Sequence, residues 1–391
     1  MIDLNNHSIM SLTYEDESSP PELRSLCNPR PPTLSAALTP RFGVLATAKY
    51  IPLTSDDSKR TSPSPEFCAK RIFVTGGCGF IGSHFINHYF DAMPECQIVN
   101  FDAMYYCASE TNVREDIRAS DRYTLIIGKL QSNNIVYESM ILHEIDTIIH
   151  FAAQSHVQNS FEQSLQYTED NVFGTHALLE AARKYGKIKR FIHISTDEVY
   201  GESMLDGDSK KTEESVLCPT NPYAATKAAA ELIVQSYYHS FKMPIIITRG
   251  NNVYGPRQYP EKLIPKFLDL LMNGQPVTIQ GDGSNKRAFL HVSDVCNALQ
   301  CILEKGEFGE IYNIGADDCH EYSVLDIARI LIEMVHPLKV GEEAGQDKWI
   351  AYIEDRPFND KRYYISNEKV KSLGWEIKVE FKDGLSGLLN A

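Results

Sequence analysis

The sequence predicts an α/β protein built on a doubly wound parallel sheet. Short apolar runs alternate with helical patterns from about residue 70, a glycine-rich turn follows the first run, and a later run ends in hydroxyl and carboxyl side chains. Ligands of open parallel sheets bind in the crevice at the carboxyl ends of the strands. We therefore expect the functional side chains at strand ends.

Composition excludes several classes of function. A length of 391 residues allows two domains, and a net charge of −14 argues against nucleic acid or an anionic membrane as a partner. The nine cysteines form no CxxC pair, so we expect reduced thiols in a cytoplasmic protein and no metal site. No apolar run approaches the roughly 18 residues that span a bilayer, and residues 1–10 lack the features of a secretory signal.

Residues 1–69 differ in composition from the rest of the chain. They hold nine of the 19 prolines and ten serines, without a sustained hydrophobic period. A segment of this kind cannot bury enough apolar surface to offset its ordering entropy. We predict a disordered or loosely attached tail over 1–69 and assign it no function.

The first predicted strand, residues 70–75, leads into a turn with glycines at 76, 79 and 82 and then into a helical pattern. This spacing permits a tight turn and lets backbone N–H groups approach a pyrophosphate. The next predicted strand, 97–101, ends in Asp102, 20 residues beyond Gly82. An acidic side chain there binds an adenosine ribose and repels a 2′-phosphate, so the pattern favours NAD over NADP.

Alternation continues with predicted strands at 123–128 and 146–151 and a predicted helix at 171–180. Small side chains at Ala152 and Ala153 follow the second of these strands, where they would let a flat cofactor lie against the sheet edge.

The run 191–193 leads to Thr196, Asp197 and Glu198. Neighbouring side chains on a strand point to opposite faces, so Asp197 and Glu198 can serve one substrate only if the strand ends by about Thr196. A protonated donor and an ionised base side by side would need environments that push their pKa values apart.

A second constellation follows at residues 219–227. Asn221 is a favourable helix N-cap and Pro222 suits the first helical position, which places Tyr223 and Lys227 one turn apart on one helix face. A lysine ammonium near a phenol favours the phenolate, so the spacing predicts a lowered Tyr223 pKa and a role as a base.

With these motifs the chain resembles the extended short-chain dehydrogenase/reductases and, among them, the nucleotide-sugar 4,6-dehydratases of the dTDP-glucose type. The resemblance covers about residues 70–385 and includes the segments 249–256 and 258–265. It implies a Rossmann domain over 70–255 and a smaller C-terminal α/β substrate-binding lobe, mainly 256–391, with some interleaving. It also implies a homodimer, paired through helices near 171–184 and 222–241.

The resemblance implies a redox-neutral dehydration of a sugar nucleotide. Tyr223, assisted by Lys227 and Thr196, would take the proton of the sugar 4-hydroxyl while the C4 hydride passes to NAD. Glu198 would then remove the C5 proton, Asp197 would protonate the departing C6 hydroxyl, and the hydride would return to C6.

The resemblance also places residues at the two ligands. Arg287 and Arg356 suit a pyrophosphate independently, because guanidinium forks match phosphate oxygens. The expected cofactor positions are Gly76, Gly79, Phe80, Ile81, Gly82, Asp102, Ala152, Ala153, Ser155, Tyr223, Lys227 and Asn252. The expected substrate positions are Ser155, Thr196, Asn251, Lys262, Leu263, Thr278, Gln280, Arg287, Asn313, Arg356 and Asn359.

Three departures from the family pattern and two alternatives remain, and one of these departures is Ala288, which stands where an Asn or Asp is frequent. Lys129 stands where an aspartate that contacts adenine is usual, and Phe358-Asn359 replaces a common Gly-His. A sugar-nucleotide 4-epimerase and a non-catalytic NAD- or sugar-nucleotide-binding regulator are the alternatives, and the sequence does not choose between dTDP- and UDP-glucose.

Overall fold

The computed structural model describes residues 67–203, 210–337, 347–355 and 360–389. The predicted tail lies outside these ranges except for its last three residues, and Arg356 and Asn359 lie outside them as well.

The described chain alternates strands and helices. The strands are β1 (Arg71–Thr75), β2 (Gln97–Asp102), β3 (Tyr123–Ile127), β4 (Thr147–His150), β5 (Arg190–Thr196), β6 (Ile245–Gly250), β7 (Asn252–Tyr254), β8 (Val277–Gln280), β9 (Lys286–His291), β10 (Ile311–Ile314), β11 (Glu321–Ser323) and β12 (Ile350–Ile353). The α-helices are α1 (Phe80–Ala92), α2 (Glu115–Arg118), α3 (Asn133–Leu142), α4 (Val157–Glu162), α5 (Ser164–Tyr167), α6 (Gly174–Tyr185), α7 (Pro222–Phe241), α8 (Leu263–Met272), α9 (Val292–Lys305), α10 (Val324–Val335), α11 (Glu368–Ser372) and α12 (Phe381–Leu389).

Seven parallel strands form the main sheet, in the order β10-β6-β5-β4-β1-β2-β3. The chain runs outward from β1 through β2 to β3 and then returns to place β4 on the other side of β1. This reversal confirms the predicted doubly wound fold, and it opens a crevice at the carboxyl ends of β1 and β4.

Helices cover both faces of this sheet. Ile72 and Val74 of β1 pack into a core with α1 and α9, whereas Phe73 packs into another core with α3, α6 and α7. Successive residues of one strand therefore serve opposite cores, as the period of two requires. Because both faces are buried, the strands read as almost continuous apolar runs.

Smaller sheets lie beyond the main one. One has the order β11-β9-β7 and another pairs β12 with β8. Their core includes Phe267, Leu331 and Phe381. Helix α10 packs into this core and begins with a capping box between Ser323 and Asp326. β10 lies far beyond residue 255 in the chain, yet it pairs with β6 in the main sheet.

A buried ion pair joins β6 to α7. Arg249 Nη2 lies 2.6 Å from Glu231 Oε2, and the side chains are 2% and 0% exposed. Arg249 Nη1 also donates to the Tyr200 hydroxyl at 2.7 Å, and Tyr200 donates to Asn313 Oδ1 at 2.8 Å. The pair therefore anchors the turn that follows β5 to α7 and to β10.

Within the described ranges, every helix is too short or too polar to serve as a membrane span.

Candidate active site

The glycine turn after β1 is packed so closely that two of its glycines tolerate no side chain. Gly76 has a φ of +72°, and a Cβ there would lie 2.7 Å from the backbone nitrogen of Ala152. A Cβ on Gly82 would lie 2.4 Å from the Gly76 carbonyl oxygen. The turn, the start of α1 and the end of β4 thus form a cradle of bare backbone, which suits a pyrophosphate.

Asp102 ends β2 beside this cradle and is 6% exposed. Its Oδ2 accepts from the Cys78 backbone N–H at 2.9 Å, and its Oδ1 accepts from Met104 N–H at 2.8 Å. Burial raises the pKa of Asp102, while these two backbone donors act in the opposite direction. A carboxylate has about four acceptor positions, so two remain for the hydroxyls of a ribose.

A cavity of about 340 Å³ runs along the carboxyl ends of the strands from Asp102 to Tyr223. Every residue that the sequence places at the cofactor lines it. The lining includes Gly76, Gly79, Phe80, Ile81, Gly82, Asp102, Ala152, Ala153, Ser155, Tyr223, Lys227 and Asn252. A glycine cradle at a helix start and an acidic residue at the end of β2 fit a dinucleotide such as NAD.

The strand that carries the carboxyl pair ends where the sequence predicts. β5 stops at Thr196, and residues Asp197–Tyr200 form a 3₁₀ turn. Thr196 caps this turn, because its Oγ1 accepts from Glu198 N–H at 3.3 Å. Gly201 closes it with a φ of +73°, and a Cβ there would lie 2.1 Å from the Cys218 carbonyl oxygen. Leaving strand geometry lets Asp197 and Glu198 line the same cavity.

Asp197 is the more enclosed of the two carboxyls, at 2% exposed. Burial and the negative charge of Glu198 raise its pKa to about 7. Asn251 Nδ2 donates to Asp197 Oδ2 at 2.5 Å. The amide of Asn251 is itself oriented, because its Oδ1 accepts from Ala316 N–H at 2.9 Å. Asp197 therefore holds a proton up to neutral pH, as a general acid must.

Glu198 lies between two cavities, and its exposed surface faces them. Burial raises its pKa, whereas a hydrogen bond from Asn221 and the charges of Lys262 and Arg287 act in the opposite direction. The Asn221 Nδ2 to Glu198 Oε2 distance is 3.0 Å. The positive charges of Lys262 and Arg287 favour the ionised form of Glu198, and the resulting negative charge on Glu198 opposes ionisation of Asp197. Glu198 is consequently the carboxyl that ionises first.

The start of α7 confirms the predicted cap. Asn221 Oδ1 accepts from Ala224 N–H at 2.9 Å, and Pro222 occupies the first turn. Tyr223 and Lys227 are both buried and both line the larger cavity. One helix turn therefore brings the phenol and the ammonium to the cavity that Asp197 and Glu198 line.

The lowered Tyr223 pKa that the spacing predicts is not what the structure provides. Burial raises the pKa of Tyr223, the charge of Glu198 raises it further, and a hydrogen bond with Thr196 acts against both. Lys227 Nζ donates to the Ile194 carbonyl at 2.7 Å, and burial lowers the Lys227 pKa to about 8. The spacing along a helix carries no information about burial, which dominates here.

A second cavity, of about 230 Å³, adjoins the first at Glu198. Five of the predicted substrate residues line it: Lys262, Leu263, Thr278, Gln280 and Arg287. Lys262 also lines the larger cavity, where its Nζ donates to the Ser155 carbonyl at 3.0 Å. Two cationic side chains in a cavity beside the carboxyl pair suit the diphosphate of a nucleotide.

Other predicted substrate residues lie differently. Ser155, Thr196 and Asn251 line the larger cavity. Asn313, however, is fully buried in β10, where it accepts from the Tyr200 hydroxyl, and it lines neither cavity. Its side chain thus supports the turn that carries the carboxyls.

The sequence interpretation missed three residues around Glu198. Asn221 was recognised only as a helix cap, and Asp360 and Tyr363 were not singled out, yet all three line the second cavity. Tyr363 contacts Glu198, and Asp360 acts on it through its charge, from more than 160 residues away in the chain. No local pattern signals such a contact.

Lys129 lies at the Asp102 end of the larger cavity, where Gly128 N–H donates to the Asp102 carbonyl at 2.9 Å. Its ammonium stands 5.4 Å from the centre of the Tyr105 ring. The hydroxyl of Tyr105 donates to Asp170 Oδ1 at 3.1 Å. The departure from the family pattern therefore puts a positive charge on this part of the cavity wall.

Comparison with known proteins finds a matching family model and similar dehydratases. A family model described as GDP-mannose 4,6 dehydratase matches residues 73–388. The dTDP-D-glucose 4,6-dehydratase of Mus musculus is 45% identical over 327 residues, which cover 84% of this chain and 89% of the relative. The crystal structure of a dTDP-glucose 4,6-dehydratase from Streptomyces venezuelae, with NAD bound, superposes with a TM-score of 0.75 at 34% identity and covers 82% of this chain and 96% of that one.

A longer relative is also similar. It is a trifunctional UDP-glucose 4,6-dehydratase, UDP-4-keto-6-deoxy-D-glucose 3,5-epimerase and UDP-4-keto-L-rhamnose reductase of Arabidopsis thaliana, 46% identical over 316 residues. The match covers 81% of this chain and 46% of the relative, so the chain spans about half the length of that protein.

Proposed function

The chain belongs to the family of GDP-mannose 4,6-dehydratases and dTDP-glucose 4,6-dehydratases, and on that premise we propose that it catalyses the NAD-dependent 4,6-dehydration of a nucleoside-diphosphate glucose. The observation that carries the proposal is the carboxyl pair. Asp197 and Glu198 line the same cavity as Tyr223, and burial together with the charge of Glu198 raises the pKa of Asp197 to about 7. An acid and a base side by side suit an elimination of water.

Tyr223 begins the proposed reaction by accepting the proton of the sugar 4-hydroxyl. Thr196, which shares a hydrogen bond with it, orients the phenol, and Lys227 holds the strand end through the Ile194 carbonyl. NAD, when bound, would accept a hydride from C4, later return it at C6, and bring the positive charge of its oxidised ring next to the phenol. Because Tyr223 is buried, such a charge would favour its phenolate strongly.

The carboxyl pair performs the elimination. A keto group at C4 acidifies the proton on C5, which Glu198 accepts as an ionised base. Asp197 donates its proton to the oxygen leaving C6, and the departing group is water. Each carboxyl ends this elimination in the other's former charge state, so no net charge is added to the buried pair. When the hydride is added at C6, Glu198 would return its proton to C5, which gives the 4-keto-6-deoxy sugar.

The second cavity suits the nucleoside diphosphate of the substrate. Its lining residues Lys262 and Arg287 provide positive charge, and Thr278 and Gln280 provide polar groups for a base or a sugar. The relatives act on dTDP-glucose and on UDP-glucose at almost the same identity to this chain. We therefore propose both nucleotides as candidate substrates.

The test is incubation of the purified chain with dTDP-glucose and, separately, with UDP-glucose. A 4-keto-6-deoxy product absorbs in alkali and is the expected result. No product with either nucleotide, while NAD is bound, would exclude the proposal. A galactose nucleotide as the product would identify an epimerase, and tight binding without turnover would identify a regulator.

Asp197→Asn is expected to stabilise the fold while it lowers kcat. The folded-state pKa of Asp197 is about 7 against an ordinary 3.8, so the folded chain holds this proton more tightly than the unfolded chain. The contribution of this proton to stability is fully present below pH 3.8 and is lost as the pH rises through about 7. At pH 8 the substitution should raise the unfolding free energy by on the order of 2–4 kcal/mol in urea titrations.

The same variant tests the reaction. Removal of a general acid should lower kcat about 100-fold, whereas an epimerase would retain its activity. In the unsubstituted chain, kcat/KM should fall as the pH rises through about 7, because Asp197 loses its proton there. A flat profile between pH 6 and 8 would contradict this assignment.

We also propose that the chain forms a homodimer through α6 and α7. Phe173, Leu232 and Phe241, in and beside these helices, are 54%, 60% and 50% exposed. Large apolar side chains grouped on neighbouring helices are typical of an interface. Leu232→Glu should convert a dimer into a monomer in light scattering after gel filtration, and a monomeric unsubstituted chain would contradict the proposal.

The free thiols of residues such as Cys78 and Cys96 favour a cytoplasmic location.

A further inference from the structure

We propose that Asp360 and Tyr363 are positioning residues that keep Glu198 basic enough to remove the C5 proton. The inference rests on the proposed function and assigns a role to two residues of the C-terminal part of the chain. It makes the strength of the base depend on a segment more than 160 residues away from it in sequence.

Tyr363 stands between two carboxylates. Its hydroxyl is hydrogen-bonded to Asp360 Oδ2 and lies 3.5 Å from Glu198 Oε2. Asp360 is fixed from its other side, because its Oδ1 accepts from the Thr220 hydroxyl at 2.8 Å and its carbonyl accepts from Asn285 Nδ2 at 3.0 Å. Asp360 and Tyr363 are 5% and 6% exposed, so the arrangement is enclosed by protein.

A phenol has one proton to donate. Burial and the charges of Glu198 and Asp360 raise the pKa of Tyr363 far above its ordinary value, so the group stays a neutral phenol. Since Asp360 makes the much shorter contact, it accepts the hydrogen bond that the phenol donates. Glu198 then faces the phenol oxygen and keeps Asn221 as its close donor.

Asp360 acts on Glu198 through its charge as well. Burial is the main cause that raises the pKa of Glu198, and the negative charge of Asp360 adds to it. A higher pKa makes Glu198 a stronger base at pH values where it is ionised. The charged or titratable groups facing Glu198 are Asp197, Tyr223, Lys262, Arg287, Asp360 and Tyr363.

We expect substitutions of Asp360 and Tyr363 to shift the pKa of Glu198 in opposite directions. Asp360→Asn removes the charge and frees the phenol to donate to Glu198, and both effects lower the Glu198 pKa. Tyr363→Phe removes the phenol from Asp360 and leaves its charge unscreened, which raises the Glu198 pKa. A structural defect has no reason to move a pH profile in opposite directions in two neighbouring variants.

The experiment is the pH dependence of kcat/KM for 4-keto product formation, with both variants and a control. In Asp360→Asn we expect the ascending acid limb to move down by about 1 pH unit, with a lower plateau because the base is weaker. In Tyr363→Phe we expect the same limb to move up. The descending limb, set by Asp197, should stay in place. Glu310→Gln, which removes a surface carboxylate paired with Lys369, should leave both limbs unchanged.

The outcomes distinguish failure of the proposed function from failure of the inference about Asp360 and Tyr363. If the unsubstituted chain makes no 4-keto product, the proposed function fails and the inference fails with it. If it turns over but the acid limb is unmoved, or moves the same way in both variants, the inference alone is wrong. Should Asp360→Asn not fold, the sign of the Tyr363→Phe shift decides, because a downward or absent shift contradicts the inference.

Discussion

Glu198→Gln is expected to lower kcat for 4-keto-6-deoxy product formation by about 10³-fold. The amide keeps the volume of the side chain and still accepts from Asn221, so the cap of α7 should be preserved. It cannot take a proton from C5. Among the described residues around it, Asp197 has a pKa of about 7 and is needed as the acid, and Tyr363 stays a phenol.

Exchange of the C5 hydrogen isolates this step. In deuterated water the unsubstituted chain should exchange C5 hydrogen with solvent during turnover, as followed by NMR, and Glu198→Gln should not. Glu310→Gln makes the same chemical change on the surface, where the side chain is 47% exposed, and should behave like the unsubstituted chain. Residual activity above a tenth would mean that another group is the base.

Glu231→Gln is expected to lower the unfolding free energy by about 3–5 kcal/mol. The substitution leaves the guanidinium of Arg249 buried without its carboxylate, at 2% exposure. Breaking one half of a buried pair costs far more than loss of an exposed pair, which is worth about 0–1 kcal/mol. Urea titration of Glu231→Gln beside Glu310→Gln compares a buried pair with an exposed one in the same protein.

This substitution should also slow catalysis. Arg249 holds the Tyr200 hydroxyl, and Tyr200 ends the 3₁₀ turn that begins at Asp197.

Replacing both partners by apolar residues of similar size, Glu231→Leu with Arg249→Met, should recover much of the lost stability, because no buried charge remains. A loss below 1 kcal/mol in Glu231→Gln would show that water reaches the pair.

Much of the fold follows from local patterns. The glycine spacing, Asp102 at the end of its strand and the helix cap at Asn221 each depend on neighbours within a few residues, and the structure confirms their geometry. The predicted helix at 171–180 is only partly right. Residues Thr168–Phe173 form a π-helix, in which the side chain of Asn171 bonds to Gln154 and Thr226 across the fold.

The remaining features depend on tertiary packing, which no local spacing records. The raised pKa of Tyr223 comes from burial and from Glu198, although its spacing from Lys227 alone suggested the opposite. The contact of Tyr363 with Glu198 exists because the chain returns to the cavity after β12. Sequence patterns locate the groups, and packing determines their proton affinities.

The side chain of Asn221 links the first turn of α7 to the proposed catalytic base, Glu198. The amide oxygen accepts a hydrogen bond from Ala224 N–H in the first turn of α7, and the amide nitrogen donates to Glu198. If the first turn of α7 opened, Glu198 would lose the donor that orients its carboxylate. One side chain therefore couples the integrity of a helix end to the alignment of the proposed base.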